Sequence, residues 1–253
     1  MIIDSHCHID FDAFDDDRDR VLSSARQLGI QSIIVPGISA DTWPRVQSIC
    51  QQHQGLYPTY GLHPYFIEQH SDHDLILLDD WLNREHAVAL GECGLDFYLK
   101  HLDKNRQLYL FEAQLDIAAR HNLPVVIHSR KATEQVIQCL KKRPTLQGMI
   151  HSYSGSYEQA LQLIDMGFYL SFGGPVTFPK ASRLRQLVSK LPLEAMLVET
   201  DAPDQADLKH HGLRNEPAYI CNVIEQISQI KNLSMQQVIN TTSDNAKRLF
   251  SIE

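Results

Sequence analysis

No run of roughly 18 consecutive apolar residues occurs in the sequence, so nothing in it has the length that a bilayer-spanning helix needs. Met1-Ile2-Ile3-Asp4 places no basic residue ahead of an apolar segment, and no secretory leader is expected. C-x-x-C pairs are missing. The five cysteines, Cys7, Cys50, Cys93, Cys139 and Cys221, are scattered and odd in number. That pattern argues against a disulfide framework and for reduced thiols in a cytoplasmic protein. Cys7 and Cys93 neighbour polar candidates, yet read best as small buried hydrophobes. Basic excess is missing too: the formal net charge is −8. Proteins that coat duplex DNA without sequence preference carry a basic surface. Any nucleic-acid contact here must therefore be local, through a small basic patch or through bound cations. Low-complexity segments, Gly/Ser linkers and short-period repeats are also lacking, and residues 1–253 are expected to form one domain.

What is present is alternation. Short β-like runs are predicted at 2–5, 32–35, 56–60, 87–90, 124–127, 148–150, 168–171 and 195–198. Amphipathic helices are predicted at 15–28, 41–52, 74–82, 105–121, 132–141, 157–166, 181–189 and 217–230. Strands separated by helices imply parallel pairing, because parallel neighbours need a crossover connection. Eight such units in 253 residues predict an α/β fold, a closed (β/α)8 TIM barrel. An additional C-terminal helical segment is predicted at 234–250, with Ser234 as its N-cap.

Ionisable residues cluster just after these strands. His6 and His8 follow the first, His63 the third, Glu92 the fourth, His128 the fifth, His151 the sixth and Asp201 the eighth. In such barrels the active site lies at the C-terminal ends of the strands. Side chains two apart on a strand point the same way, so the His-x-His pair can reach one cation. Two further histidines and the carboxylates of Glu92 and Asp201 complete a nitrogen and oxygen set. Six ligands exceed one tetrahedral zinc but suit two divalent cations with Glu92 as the bridge. A set without thiols favours Zn, Mn or Mg. A lone His-x-His arises often by chance, and the chain has 13 histidines. His53, His70, His73, His86, His101, His121, His210 and His211 fall in helices or loops and are expected at the surface. The joint pattern is harder to dismiss, because buried charges are costly unless paired or metal-bound.

Six segments taken in order resemble the signature of the TatD-type metal-dependent deoxyribonucleases, which belong to the wider amidohydrolase-like barrels. They are Asp4-Ser5-His6-Cys7-His8-Ile9-Asp10, Gly61-Leu62-His63-Pro64, Gly91-Glu92-Cys93-Gly94-Leu95-Asp96-Phe97-Tyr98, Pro124-Val125-Val126-Ile127-His128-Ser129-Arg130, His151-Ser152-Tyr153-Ser154-Gly155 and Glu199-Thr200-Asp201-Ala202-Pro203. The match continues to Asn215-Glu216-Pro217 and covers nearly the whole chain. The resemblance implies two divalent cations held by His6, His8, Glu92, His128, His151 and Asp201. It also implies phosphodiester hydrolysis, often as a 3′-to-5′ exonuclease on DNA, single-stranded ends included, with no obligate protein partner. Two departures fall where substrate would be contacted: Asp204-Gln205 replaces the usual Tyr-Leu, and His211-Gly212 the usual Arg-Gly.

Within that reading Asp201 serves as ligand and as base or orienter of the attacking water, with Glu92 beside it. His63 contacts the phosphate or protonates the leaving group. Arg130 either forks onto a phosphate or stands as an exposed charge at a helix start. Tyr98 and Tyr153 are candidate stacking partners for a nucleobase, or else core and rim residues. Asp96 orients a ligand from behind. The main rival is a metal-dependent amidohydrolase or esterase on the same barrel, acting on a small molecule or on an aminoacyl ester of tRNA. A non-enzymatic scaffold predicts eroded ligands, whereas all six are present.

Overall fold

The computed structural model describes residues 1–252. Eight strands run in chain order around a barrel: β1 Ile2–Asp4, β2 Ile30–Gly37, β3 Leu56–Tyr60, β4 Ala89–Asp96, β5 Val125–Arg130, β6 Gly148–Ile150, β7 Phe168–Phe172 and β8 Met196–Val198. Every assigned pairing is parallel. The crossovers are α1 Arg18–Gln27, α2 Trp43–Gln52, α3 Asp72–Arg84, α4 Lys104–His121, α5 Thr133–Lys141, α6 Tyr157–Asp165 and α7 Ser182–Lys190. Two more helices follow the last strand, α8 Ile220–Lys231 and α9 Met235–Phe250. Strands covered on both faces are apolar throughout. Every residue of β4 is buried, its charged ones included. Between β8 and β1 the seam is closed by single backbone bonds, Ser5 N to Val198 O at 3.0 Å and Asp201 N to His6 O at 2.8 Å. The fold is the expected TIM barrel. No helix among the described residues is long and apolar enough to cross a membrane.

The predicted C-terminal helix is α9, and Ser234 caps it. Its hydroxyl accepts from Gln237 N while the Gln237 side chain accepts from Ser234 N. Ala246, Leu249 and Phe250 of α9 join a buried cluster with Ile3, Ile34, Val126, Met149 and Leu197 from the strands and Val88 just before β4. Ser243 Oγ donates to Met1 O, and Asn245 Nδ2 donates to Leu193 O and Met196 O. Those carbonyls precede or open β1 and β8, so α9 covers the N-terminal end of the barrel. The opposite end stays open.

Two boundaries move the site. β4 runs on to Asp96 and β5 to Arg130, so Glu92 and His128 lie within strands rather than after them. Gly91, Glu92 and Gly94 interrupt the apolar run that marks a strand in the sequence. The ladder continues regardless, pairing Cys93 with Ile127 and Gly94 with His128 after a register irregularity. Gly94 has φ +140°, and a Cβ there would lie 2.0 Å from His128 O. Only glycine allows that approach. The last expected crossover also starts later: Pro217–Tyr219 is a 3-10 turn ahead of α8.

Candidate metal centre

The turn after β1 is braced to the turn after β8 by Asp4, which is fully buried. Its carboxylate accepts from Thr200 N at 3.0 Å, Thr200 Oγ1 at 2.6 Å and His6 N at 3.2 Å. This brace and the backbone seam bring His6 and His8 beside Asp201. The two imidazole Nε2 atoms lie 3.3 Å apart and face each other. Asp201 itself adopts φ +56°. The turn that carries it is fastened by Asn215, whose amide donates to Thr200 O and Asp204 O, each at 2.8 Å.

Glu92 projects from mid-β4 into the centre of this group. Its Oε2 lies 3.2 Å from His6 Nε2 and 3.5 Å from His8 Nε2. Its Oε1 lies 3.0 Å from His63 Nε2, 3.3 Å from His128 Nδ1 and 2.9 Å from His151 Nε2. One carboxylate thus turns its two oxygens to two sets of imidazoles. Asp201 Oδ1 completes the first set, 3.4 Å from His6 Nε2 and 3.6 Å from His8 Nε2. All seven motif residues, His63 among them, meet in one place. The donor atoms form three overlapping groups: His6, His8 and Glu92; His63, Glu92 and His128; and His6, His151 and Glu199.

Hydrogen bonds behind the rings fix which nitrogen is free. His128 Nε2 lies 3.2 Å from Asp96 Oδ2, so its proton belongs there and the Nδ1 lone pair faces Glu92. His63 is the reverse case. Its Nδ1 accepts from Tyr65 N at 3.0 Å, and an amide can only donate, so the neutral ring carries its proton on Nε2.

Electrostatics divide the rings: burial lowers His128 and His151, but Asp96 and Glu92 for the first and Glu92 and Glu199 for the second outweigh it and hold both above the usual range. Burial by itself raises the Glu92 carboxyl, but His63, His151 and His6 outweigh it and hold the group well below the usual range. Burial, with repulsion from His6, pushes the His8 imidazole down to about 3, leaving the neutral ring that can donate a lone pair. Burial pushes Asp201 up to about 6 against the pull of His151 and His6. Buried Nδ1 atoms of His6, His8 and His151 and Glu199 Oε2 have no hydrogen-bond partner. The imidazole nitrogens and carboxylate oxygens that converge on Glu92 fit divalent cations of the Zn, Mn and Mg class. Thiols take no part: Cys7 and Cys93 are buried and direct Sγ at the carbonyls of Ala202 and Val126.

His8, His63, Glu92, His128, His151 and Asp201 line a cavity of about 700 Å³ at the open end of the barrel, walled in part by Phe11, Tyr65 and Phe66. Arg130 lines it with its guanidinium 3.9 Å from the Tyr98 ring centre and 3.9 Å from Asp96 Oδ2. Tyr98 is exposed beside it. Tyr153 takes the second of its two expected roles, that of a core residue. It is buried, and its hydroxyl donates to Ser156 O at 2.8 Å, so it forms a wall rather than a free stacking face. His70, expected at the surface, is buried with Nε2 3.0 Å from His63 O.

Three contributors went unassigned in the sequence. Glu199 Oε1 accepts from Ser152 N at 2.6 Å and lies 3.8 Å from His151 Nδ1. Ser152 Oγ donates to Gln205 Oε1 at 2.8 Å, and the Gln205 amide donates to Asp201 Oδ2. The one sequence signal for Gln205 was that it stands at a departure from the family pattern.

A family model described as TatD related DNase matches residues 3–251. The metal-dependent hydrolase YabD of Bacillus subtilis is 35% identical over 254 residues, covering 100% of both chains. The metal-dependent hydrolase YjjV of Escherichia coli is 36% identical, covering 99% of this chain and 98% of that one. The crystal structure of YjjV, a TatD homologue, superposes with a TM-score of 0.96 at 35% identity, over 100% of this chain and 98% of that one. A phosphotriesterase homology protein from Escherichia coli, solved with phosphate in its active site, shares the fold at a TM-score of 0.71 and 14% identity, over 98% of each chain.

Proposed function

The chain belongs to the TatD related DNase family, and from that premise we propose that it is a divalent-cation-dependent phosphodiesterase acting on DNA ends with 3′-to-5′ polarity. The observation that carries this reading is the Glu92 carboxylate, which divides its oxygens between two sets of imidazoles. His6, His8, Glu92, His128, His151 and Asp201 would hold two cations. Mg, Mn or Zn, when bound, supplies Lewis-acid charge and acidifies water near neutral pH.

The protein's own groups do the rest. Asp201, pushed up to about 6, can take a proton from the attacking water. Gln205 occupies its Oδ2 and leaves Oδ1 facing the His6–His8 pair. His63 carries its N–H on Nε2, 3.0 Å from Glu92 Oε1; with that carboxylate taken up by cations, the N–H would be suited to a phosphate oxygen or to the departing oxygen. Its tautomer supports a donor role better than a ligand role. Asp96 holds His128 in the opposite tautomer, that of a ligand. Arg130 can fork onto a phosphate, and Tyr98 beside it offers a face to a base.

Chelation should abolish hydrolysis, and added Mg, Mn or Zn should restore it. Full turnover in excess chelator sinks the reading. A panel of single-stranded DNA, duplex DNA, RNA, aminoacyl-tRNA and simple esters should show DNA cut fastest. Faster cleavage of the aminoacyl or simple esters would move the protein to the esterase class.

A further inference from the structure

Beside the cavity lies a second groove of about 490 Å³. Pro175, Asp204 and Gln205 line both, so the two are one continuous depression. Phe178 and the turn His211–Leu213 form the far wall. His211 meets Phe178 edge to face, with ring centres 5.5 Å apart and planes at 87°. Leu213 is 66% exposed, and Pro203, Ala181 and Ala206 add further apolar surface. Apart from His211, the one ionisable side chain in the groove is Asp204. It is exposed and makes no side-chain hydrogen bond or ion pair among the described residues. The groove thus combines an aromatic corner, an apolar floor and a single free carboxylate. Both positions where the sequence departs from its family pattern, Asp204-Gln205 and His211-Gly212, lie in it.

We propose, on the premise that the adjoining centre cuts phosphodiester bonds, that this groove is a second nucleobase subsite. It takes the base of the nucleotide neighbouring the one whose phosphate is attacked. The argument is one of chemistry and continuity. Asp204 repels a phosphate, so the sugar-phosphate backbone stays at the cavity and a flat uncharged group enters the groove. Aromatic edges and an apolar floor suit a base, whichever base it is. The Asp204 carboxylate can accept from an exocyclic amino group, which cytosine and adenine carry and thymine lacks. An occupant would also lie against Gln205, the residue that holds Asp201. Binding one nucleotide further along would then steady the carboxylate at the centre.

The test is binding of phosphorothioate oligodeoxycytidylate and of deoxycytidine monophosphate to the full chain with a divalent cation present, read by calorimetry. Phe178→Ala and His211→Ala should weaken the oligonucleotide about tenfold and leave the mononucleotide unchanged. His211 is exposed, so its replacement does not threaten folding, and His211→Trp should restore or tighten binding. Asp204→Asn should narrow the preference for oligodeoxycytidylate over oligothymidylate. Unchanged oligonucleotide affinity in both alanine variants overturns the subsite, even where DNA hydrolysis stands. Equal weakening of both ligands overturns it too. Groove-dependent oligonucleotide binding by a protein that cuts no DNA would sink the phosphodiesterase reading and leave the subsite in place. Groove-dependent binding of an aminoacyl ester, with none of DNA, would sink both.

Discussion

The two ends of the barrel treat polar atoms in opposite ways. At the N-terminal end the buried amide of Asn245 is used up on two carbonyls, Leu193 O and Met196 O, and the rest is apolar packing of Leu249 and Phe250 on the strands. At the mouth, four buried atoms, His6 Nδ1, His8 Nδ1, His151 Nδ1 and Glu199 Oε2, have no partner at all. A fully buried Glu92 stands among five imidazoles. Stability is concentrated at one end and unmet ligand capacity at the other. Barrels of this kind separate the two tasks by face, and here the separation is visible atom by atom.

The sharpest way to break that contrast is Asp201→Asn. It should lower hydrolysis by roughly a hundred- to thousandfold or more, with circular dichroism and melting temperature held or raised, because a buried carboxylate is lost. A variant that unfolds instead would make the mouth a structural element like the other end. Phe250→Ala should do the converse. Removing a buried ring from the cluster under the barrel should cost about 3–5 kcal/mol in chemical denaturation, while turnover per folded molecule stays near wild type. Loss of turnover without loss of stability would mean that the ends are coupled. The smallest effect is a change of slope at Asp10. Burial pushes this carboxyl up to about 7, against Arg45 and Arg18, from an ordinary 3.8. The folded chain therefore keeps the proton where the unfolded chain has released it. The associated stability is complete below the unfolded value and is lost as pH rises through about 7. Asp10→Asn should flatten denaturation stability between those limits. An unchanged pH slope would show that Asp10 contributes nothing to it.

Much of the barrel could be read directly, because strands covered on both faces leave apolar runs and each run is followed by a crossover. The convergence of His6, His8, Glu92, His128, His151 and Asp201 was legible for the same reason: strand order fixes what meets at the mouth. The lengths of β4 and β5 were not. Glycines and a charge interrupt their pattern, while backbone pairing, which leaves no mark on composition, carries them on. His63 was set apart in the sequence, yet lies as close to Glu92 as His151 does, and only its bond from Tyr65 N distinguishes its role. Glu199, Ser152 and Gln205 act through contacts between loops 47 to 53 residues apart, which no local spacing announces. The sequence leaves Tyr153 open between a stacking and a core role; its burial and the bond from its hydroxyl to Ser156 O, three residues on, decide for the core.

The helix that seals the lower end of the barrel has a consequence for traffic. Ile3, Ile34, Val126, Met149 and Leu197 pack on that helix and fill the barrel below the mouth, so no passage leads through it. On the nuclease reading, a strand terminus must be offered at the mouth, and every released nucleotide must retrace the route by which it arrived. The remaining strand has to lift or slip back before the next bond is presented.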